Sequence, residues 1–160
     1  MQSEKSSSPK ILVADDEAPI RELLEQVLAA EGYTVIVAAD GKDALQQTLT
    51  HKPDLILLDV RMPKLDGITL CKALRVYKET QNTPIIMLTA FHTRDHMEES
   101  IAAGADDFLA KPFELTELKI RVRSMLKLKH VNDEVQRLQA YIIALREARG
   151  QTGDKPDKIG

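Results

Sequence analysis

Five polar side chains stand where short apolar runs stop. Asp15 and Asp16 follow Ile11, Leu12 and Val13; Asp59 follows Leu55, Ile56, Leu57 and Leu58. Thr89 closes the run ending in Met87 and Leu88, and Lys111 the run holding Phe108 and Leu109. A carboxylate at such a place can be a metal ligand, a base, a nucleophile or an acid that caps the next turn. Asp59 alone does not separate these; its company does. Three carboxylates brought together cannot all stay ionised without a cation, because like charges raise one another's pKa values. Oxygen donors of this kind suit a hard divalent ion, Mg²⁺ first. Lys111 adds a second positive centre and Thr89 a hydroxyl. The set fits an incoming phosphoryl group, whose oxygens metal and ammonium would neutralise while one carboxylate attacks phosphorus.

Convergence requires that the runs be parallel strands whose carboxyl ends share one edge, where ligand crevices of such sheets lie. The patterning supplies them. Strands are expected at residues 10–14, 34–38, 55–58, 84–88 and 106–110, the third without polar alternation and so buried on both faces. Between them lie helical stripes. Ile20, Leu23, Leu24, Val27 and Leu28 form the first, with Pro19 tolerated in its first turn and Gly32 as its stop. Ala44, Leu45, Thr48 and Leu49 mark a second over residues 42–51, and a third is expected over 67–78. A fourth, over 93–103, carries little beyond Met97 and Ile101 and is expected to be loosely held. The fifth begins near Glu114. Alternating strands and helices with short connections call for an α/β fold, a parallel sheet with helices on both faces.

Composition excludes several classes. A net charge of -3 gives no general drive toward nucleic acid or anionic membrane. One cysteine, Cys71, rules out an internal disulfide framework, and at Ile68, Cys71, Leu74 spacing it reads as core. The polar start, residues 1–9, reads as a disordered leader without a signal-peptide stretch, and no run approaches a membrane span. A cytoplasmic protein is expected. His51, His92, His96 and His130 lack metal-ligand spacing. The basic run Arg121, Arg123, Lys127, Lys129 reads as a solvated helix face rather than a nucleic-acid contact.

From about Lys10 to Leu126 the chain resembles the receiver domain of two-component response regulators. The resemblance rests on the acidic pair Asp15-Asp16, the segment from Asp59 through Met62-Pro63 to Asp66-Gly67, Leu88-Thr89-Ala90, and Gly104 through Phe108 to Lys111-Pro112-Phe113. It implies a flavodoxin-like doubly wound sheet of order 2-1-3-4-5 and a receiver spanning residues 10–127. It implies that Asp59 is the phosphoacceptor, charged by a histidine kinase or phosphotransfer protein. Asp16, Asp59 and the Arg61 carbonyl would hold Mg²⁺, with Asp15 acting mostly through water. Thr89 and Lys111 would each engage a phosphoryl oxygen, Phe108 would be the switch aromatic, and the Lys111-Pro112 bond would be cis.

Phe108 stands where Tyr is frequent in the family, and so offers no hydroxyl to a partner. Arg61 and Phe91 hold the positions that influence phosphoryl loss. A phosphatase of the haloacid dehalogenase type also uses a nucleophilic Asp and Mg²⁺, but needs a second Asp two residues on, where this chain has Arg61. A receiver that only binds partners is disfavoured by the complete set of five.

Beyond the receiver, residues 128–149 continue as a helix and 150–160 read as a disordered tail. Leu128, Val135 and Ile142 fall at heptad a, and Val131, Leu138 and Leu145 at d, a pairing that favours a parallel two-stranded coil. Two steps of three around Met125 and Leu128 resemble a stammer. A homodimer through this helix is expected, although Asn132, Glu134, Gln139, Tyr141 and Arg146 give no charge pairs to fix its orientation. Asp107, Arg121 and Glu117 match intersubunit salt-bridge positions of the winged-helix transcription-factor subfamily; Met97 and Leu128 do not. A stand-alone regulator and a piece of a longer one both fit.

Overall fold

The structure is a computed structural model that describes residues 7–90 and 94–151. Phe91, His92 and Thr93 lie outside the described residues, as do the His96 side chain and residues 1–6 and 152–160. Five strands, β1 (Lys10–Ala14), β2 (Thr34–Ala38), β3 (Leu55–Asp59), β4 (Ile85–Thr89) and β5 (Asp107–Ala110), alternate with five helices. The helices are α1 (Ala18–Ala30), α2 (Gly41–His51), α3 (Gly67–Leu74), α4 (Arg94–Ala102) and α5 (Leu115–Gln151). The strands pair in parallel in the order β2-β1-β3-β4-β5. The doubly wound α/β fold expected from the pattern is the fold observed.

Every residue of β3 and β4 is buried, because helices cover both faces. One apolar layer joins Leu24 and Leu28 of α1, and Leu118 and Val122 of α5, to Val13, Leu57 and Leu88. The other joins Ala44 of α2 and Leu70, Cys71 and Leu74 of α3 to Leu12, Ile56, Leu58 and Met87. Burying a Leu or Ile side chain contributes about 1.5–3 kcal/mol, so these alternating strand residues hold both layers to the sheet. Cys71 is core, as its spacing implied. Gly32, at φ 98°, ends α1: its N–H donates to the Ala29 carbonyl and that of Tyr33 to Leu28, closing the last turn.

Two expectations needed correction. The third helix stops at Leu74 rather than running to residue 78, leaving Val76 81% exposed. Arg75 ends it by turning its guanidinium to the carbonyls of Thr80, Thr83 and Gly104 and to Asp106. The apolar face expected of α4 is not buried: Met97 and Ile101 are exposed, and among the described side chains of the helix it is Ser100 that is buried. Just ahead of β1, the Ser8 hydroxyl bonds the Thr34 hydroxyl and the Pro9 carbonyl accepts from Thr34 N–H.

Compact packing ends at Leu126, and the rest of α5 from Lys127 belongs to a second unit. Within that unit Leu128, Val131, Val135, Leu138, Ile142 and Leu145 are between 42% and 61% exposed.

Candidate functional site

The sheet register brings the chemistry together. Ala14 pairs with Leu58, Asp59 with Leu88, and Thr89 with Ala110, so Asp15, Asp59, Thr89 and Lys111 all lie at one edge. Main-chain bonds fix the strand ends: Asp15 N–H donates to Ala38 O at 3.1 Å, Val60 N–H to Leu88 O at 3.0 Å, and Lys111 N–H to Thr89 O at 2.7 Å. The Lys111-Pro112 bond is cis, as the resemblance implied.

The loop after Asp59 folds back tightly. Gly67 N–H donates to Val60 O at 2.8 Å, and a Cβ on Gly67 would run into the Asp59 carbonyl oxygen. Only glycine fits there. The Asp66 side chain caps α3 by accepting from Thr69 N–H at 2.8 Å. Asp59 is thus presented from a strand end clamped by its own loop.

The charges are arranged unevenly. Lys111 Nζ lies 2.7 Å from Asp15 Oδ2, 3.4 Å from Glu17 Oε2 and 3.6 Å from Asp59 Oδ2. Asp15 is wholly buried and its other oxygen accepts from Glu17 N–H at 2.9 Å. Both oxygens of Asp15 are therefore committed within the chain. Arg21 donates to the Asp15 carbonyl at 2.7 Å, holding the β1–α1 turn from the helix side. Asp59 is buried too, and accepts from Arg61 N–H at 3.3 Å. Burial, reinforced by the charge of Asp15, pushes the Asp59 carboxyl up to about 7 against the pull of Lys111. Burial alone would lower the Lys111 ammonium, but its bond to Asp15 and the charge of Asp59 hold it above the ordinary lysine range.

Asp16, Glu17, Asp59, Arg61, Thr89, Ala90 and Lys111 line a cleft of about 300 Å³. Carboxylate oxygens of Asp15, Asp16 and Glu17 lie within 4.8 Å of one another. These are hard oxygen donors around a half-open space, the donor chemistry of a divalent ion that keeps some of its waters. A buried carboxyl held above its usual range fits a place where a cation restores the charge.

Asp15, Asp16, Asp59, Arg61, Thr89 and Lys111, the site residues expected from the sequence, gather at this edge. Phe108 is half-buried and packs against the layer containing Met87 and Ala103; Phe91 lies outside the described residues. Glu17 was overlooked, although a third acid directly after Asp15-Asp16 was visible in the sequence. Arg21 carried no signal beyond its helix.

Comparison with known proteins settles the family. The model of the response regulator receiver domain matches residues 11–123. The chain belongs to the response regulator receiver family. The receiver is 48% identical over 118 residues to the alkaline phosphatase synthesis transcriptional regulatory protein PhoP of Bacillus subtilis, covering 74% of this chain and 48% of PhoP. It therefore spans about half the length of the curated relatives it matches. Among solved structures it is similar to a response regulator from Chloroflexus aurantiacus, at 43% identity and a TM-score of 0.72, over 75% of this chain and 98% of that one. It is also similar to the receiver domain of a sensor histidine kinase of Pseudomonas aeruginosa, which holds a magnesium ion coordinated in its active site cleft. That match has 32% identity and a TM-score of 0.71, over 75% of this chain and 98% of the other.

Along α5 Lys119, Arg121 and Arg123 are matched by acids. Arg121 bonds Asp107 at 2.7 Å and Glu117 at 3.0 Å within one chain. Lys119 and Arg123 each approach Glu31 of α1 at 3.8 Å. No helix among the described residues is long and apolar enough to cross a membrane.

Proposed function

We propose that Asp59 accepts a phosphoryl group from the phosphohistidine of a histidine kinase or phosphotransfer protein, in the cytoplasm, and that the receiver signals by the change this causes. The observation that carries the reading is the placement of a buried carboxylate, Asp59, 3.6 Å from the Lys111 ammonium in a cleft that Thr89 also lines. A carboxylate oxygen of Asp59 forms the new bond to phosphorus while the bond from phosphorus to the donor's imidazole nitrogen breaks. The imidazole leaves with the electron pair and takes a proton. Lys111 and the Thr89 hydroxyl each stabilise one phosphoryl oxygen, and the clamped loop at Gly67 keeps Asp59 aimed.

Asp16, Asp59 and the Arg61 carbonyl would hold Mg²⁺, and the Asp15 carboxylate would support it from behind. Bound there, the ion supplies positive charge to the phosphoryl oxygens. The magnesium-bearing Pseudomonas receiver supports this assignment. Asp15, already bonded to Lys111 and Glu17 N–H, serves chiefly to orient them.

Phosphorylation would draw Thr89 toward the phosphoryl group and let Phe108 turn into the space behind it. Moving from a mostly inactive to a mostly active population takes roughly 5 kcal/mol, within reach of several charge-assisted hydrogen bonds. PhoP is a transcriptional regulatory protein, and we assign these residues the receiver's part of such work. A second copy of this chain is the proposed occupant of the exposed a and d side chains from Leu128 to Leu145, whose alternation of β-branched residues with Leu suits a parallel coil.

Incubation with acetyl phosphate and Mg²⁺ tests the reading. Phosphoryl uptake by the wild type and none by Asp59→Asn is expected, because the amide keeps the shape and lacks the nucleophile. Uptake at the wild-type rate in Asp59→Asn would contradict it.

A further inference from the structure

Glu17 is the N-cap residue of α1, yet its side chain makes no capping bond. Ser, Thr, Asp and Asn suit that position because their short side chains reach the free amides of the first turn. The Glu17 carboxylate turns instead to Lys111, 3.4 Å from Nζ. Its backbone N–H is bonded to Asp15, so the turn that aims the side chain is fixed by the same carboxylate that grips Lys111. The Glu17 side chain is 60% exposed and that of Lys111 only 11%. Glu17 therefore stands at the mouth of the cleft and touches the ammonium below it.

We infer that Glu17 is a positioning residue that slows and weakens phosphoryl acceptance, by restraining Lys111 and by placing negative charge where an anionic phosphodonor enters. This rests on Asp59 as the acceptor. The Lys111 ammonium has three carboxylates within reach, and Asp59 is the farthest. A phosphoryl group arriving at Asp59 must draw the ammonium away from the others. Its donor must also pass the Glu17 carboxylate. Both effects have the same sign, so removing the Glu17 charge relieves both. Solvent at the mouth keeps the effect modest, on the order of three- to tenfold in rate at low salt. Added salt shrinks it.

The test compares full-length wild type, Glu17→Gln, Glu17→Ser and Glu17→Asp for phosphorylation by acetyl phosphate at saturating Mg²⁺, at low and high ionic strength. Glu17→Gln and Glu17→Ser should both react about three- to tenfold faster at low salt, with the gap closing as salt rises. Glu17→Asp, which keeps the charge at the mouth, should stay nearer the wild type. In metal-free protein the Lys111 side-chain nitrogen resonance should move in the Gln and Ser variants. A role confined to starting α1 would instead separate Ser from Gln, since only Ser is a good cap. Rates in Gln and Ser equal to or below wild type, or a Lys111 resonance that does not move, would overturn the inference. A wild type that takes up no phosphate would overturn the Asp59 reading itself.

Discussion

Lys111 Nζ is 2.7 Å from Asp15 and 3.6 Å from Asp59. The ammonium is thus bonded to Asp15 and stands one short movement from Asp59, the carboxylate proposed to react. Each end of this relationship has a consequence for stability.

Removing the ammonium leaves two buried carboxylates facing each other. Lys111→Met should destabilise the metal-free protein by about 3 kcal/mol, as loss of one partner from a buried pair generally does. Urea melts in chelator give the value. Asp15→Asn in the same chain should recover much of the loss, since it removes the acid left unpaired.

The pH dependence follows from Asp59. Its carboxyl is held at about 7 in the folded chain against 3.8 for an unperturbed Asp. Between those values the folded state holds a proton that the unfolded state has released, so stability falls as pH rises and levels off above about 7. Asp59→Asn should lack this fall, of up to a few kcal/mol, and be the more stable protein at pH 8 without metal. Melts of both proteins from pH 4 to 8 decide it; a wild type that gains stability across this window would contradict the sign.

Much of this was legible in the strand ends. Ile11 to Val13 and Leu55 to Leu58 are apolar on both faces and stop on acids, so the parallel sheet and the edge where its polar side chains gather followed from pattern alone. The end of α3 did not, because Arg75 takes carbonyls from residues up to 29 positions away that no local pattern reveals. Glu17 was hidden by its neighbours: two acids already explained the motif, and its contact with Lys111 spans 94 positions. The burial of Ser100 in place of Met97 and Ile101 reflects how little apolar surface α4 has to set its rotation.

Arg75 should matter as much as a core residue. Its guanidinium serves the carbonyls of Thr80, Gln81, Thr83 and Gly104, and its partner Asp106 also accepts from Ile85 N–H at 2.9 Å. Arg75→Ala should cost about 3 kcal/mol by denaturant melt, since several carbonyls lose their donor at once. Arg75→Lys should recover little, because an ammonium cannot span the same acceptors.

The second-copy proposal predicts a change of mass in solution. Wild type should sediment as a dimer at tens of micromolar, and Leu138→Asp, which puts a charge in the seam, as a monomer. A wild type that is monomeric at that concentration would sink the coil.

The most direct measurement is chemical. An aspartyl phosphate is reduced by borohydride to homoserine, so wild type charged with acetyl phosphate and Mg²⁺, then reduced and digested, records where the phosphoryl group sat. Homoserine at position 59 alone is the predicted result; homoserine at 15 or 16, or at no position in a protein that has taken up phosphate, would contradict the account.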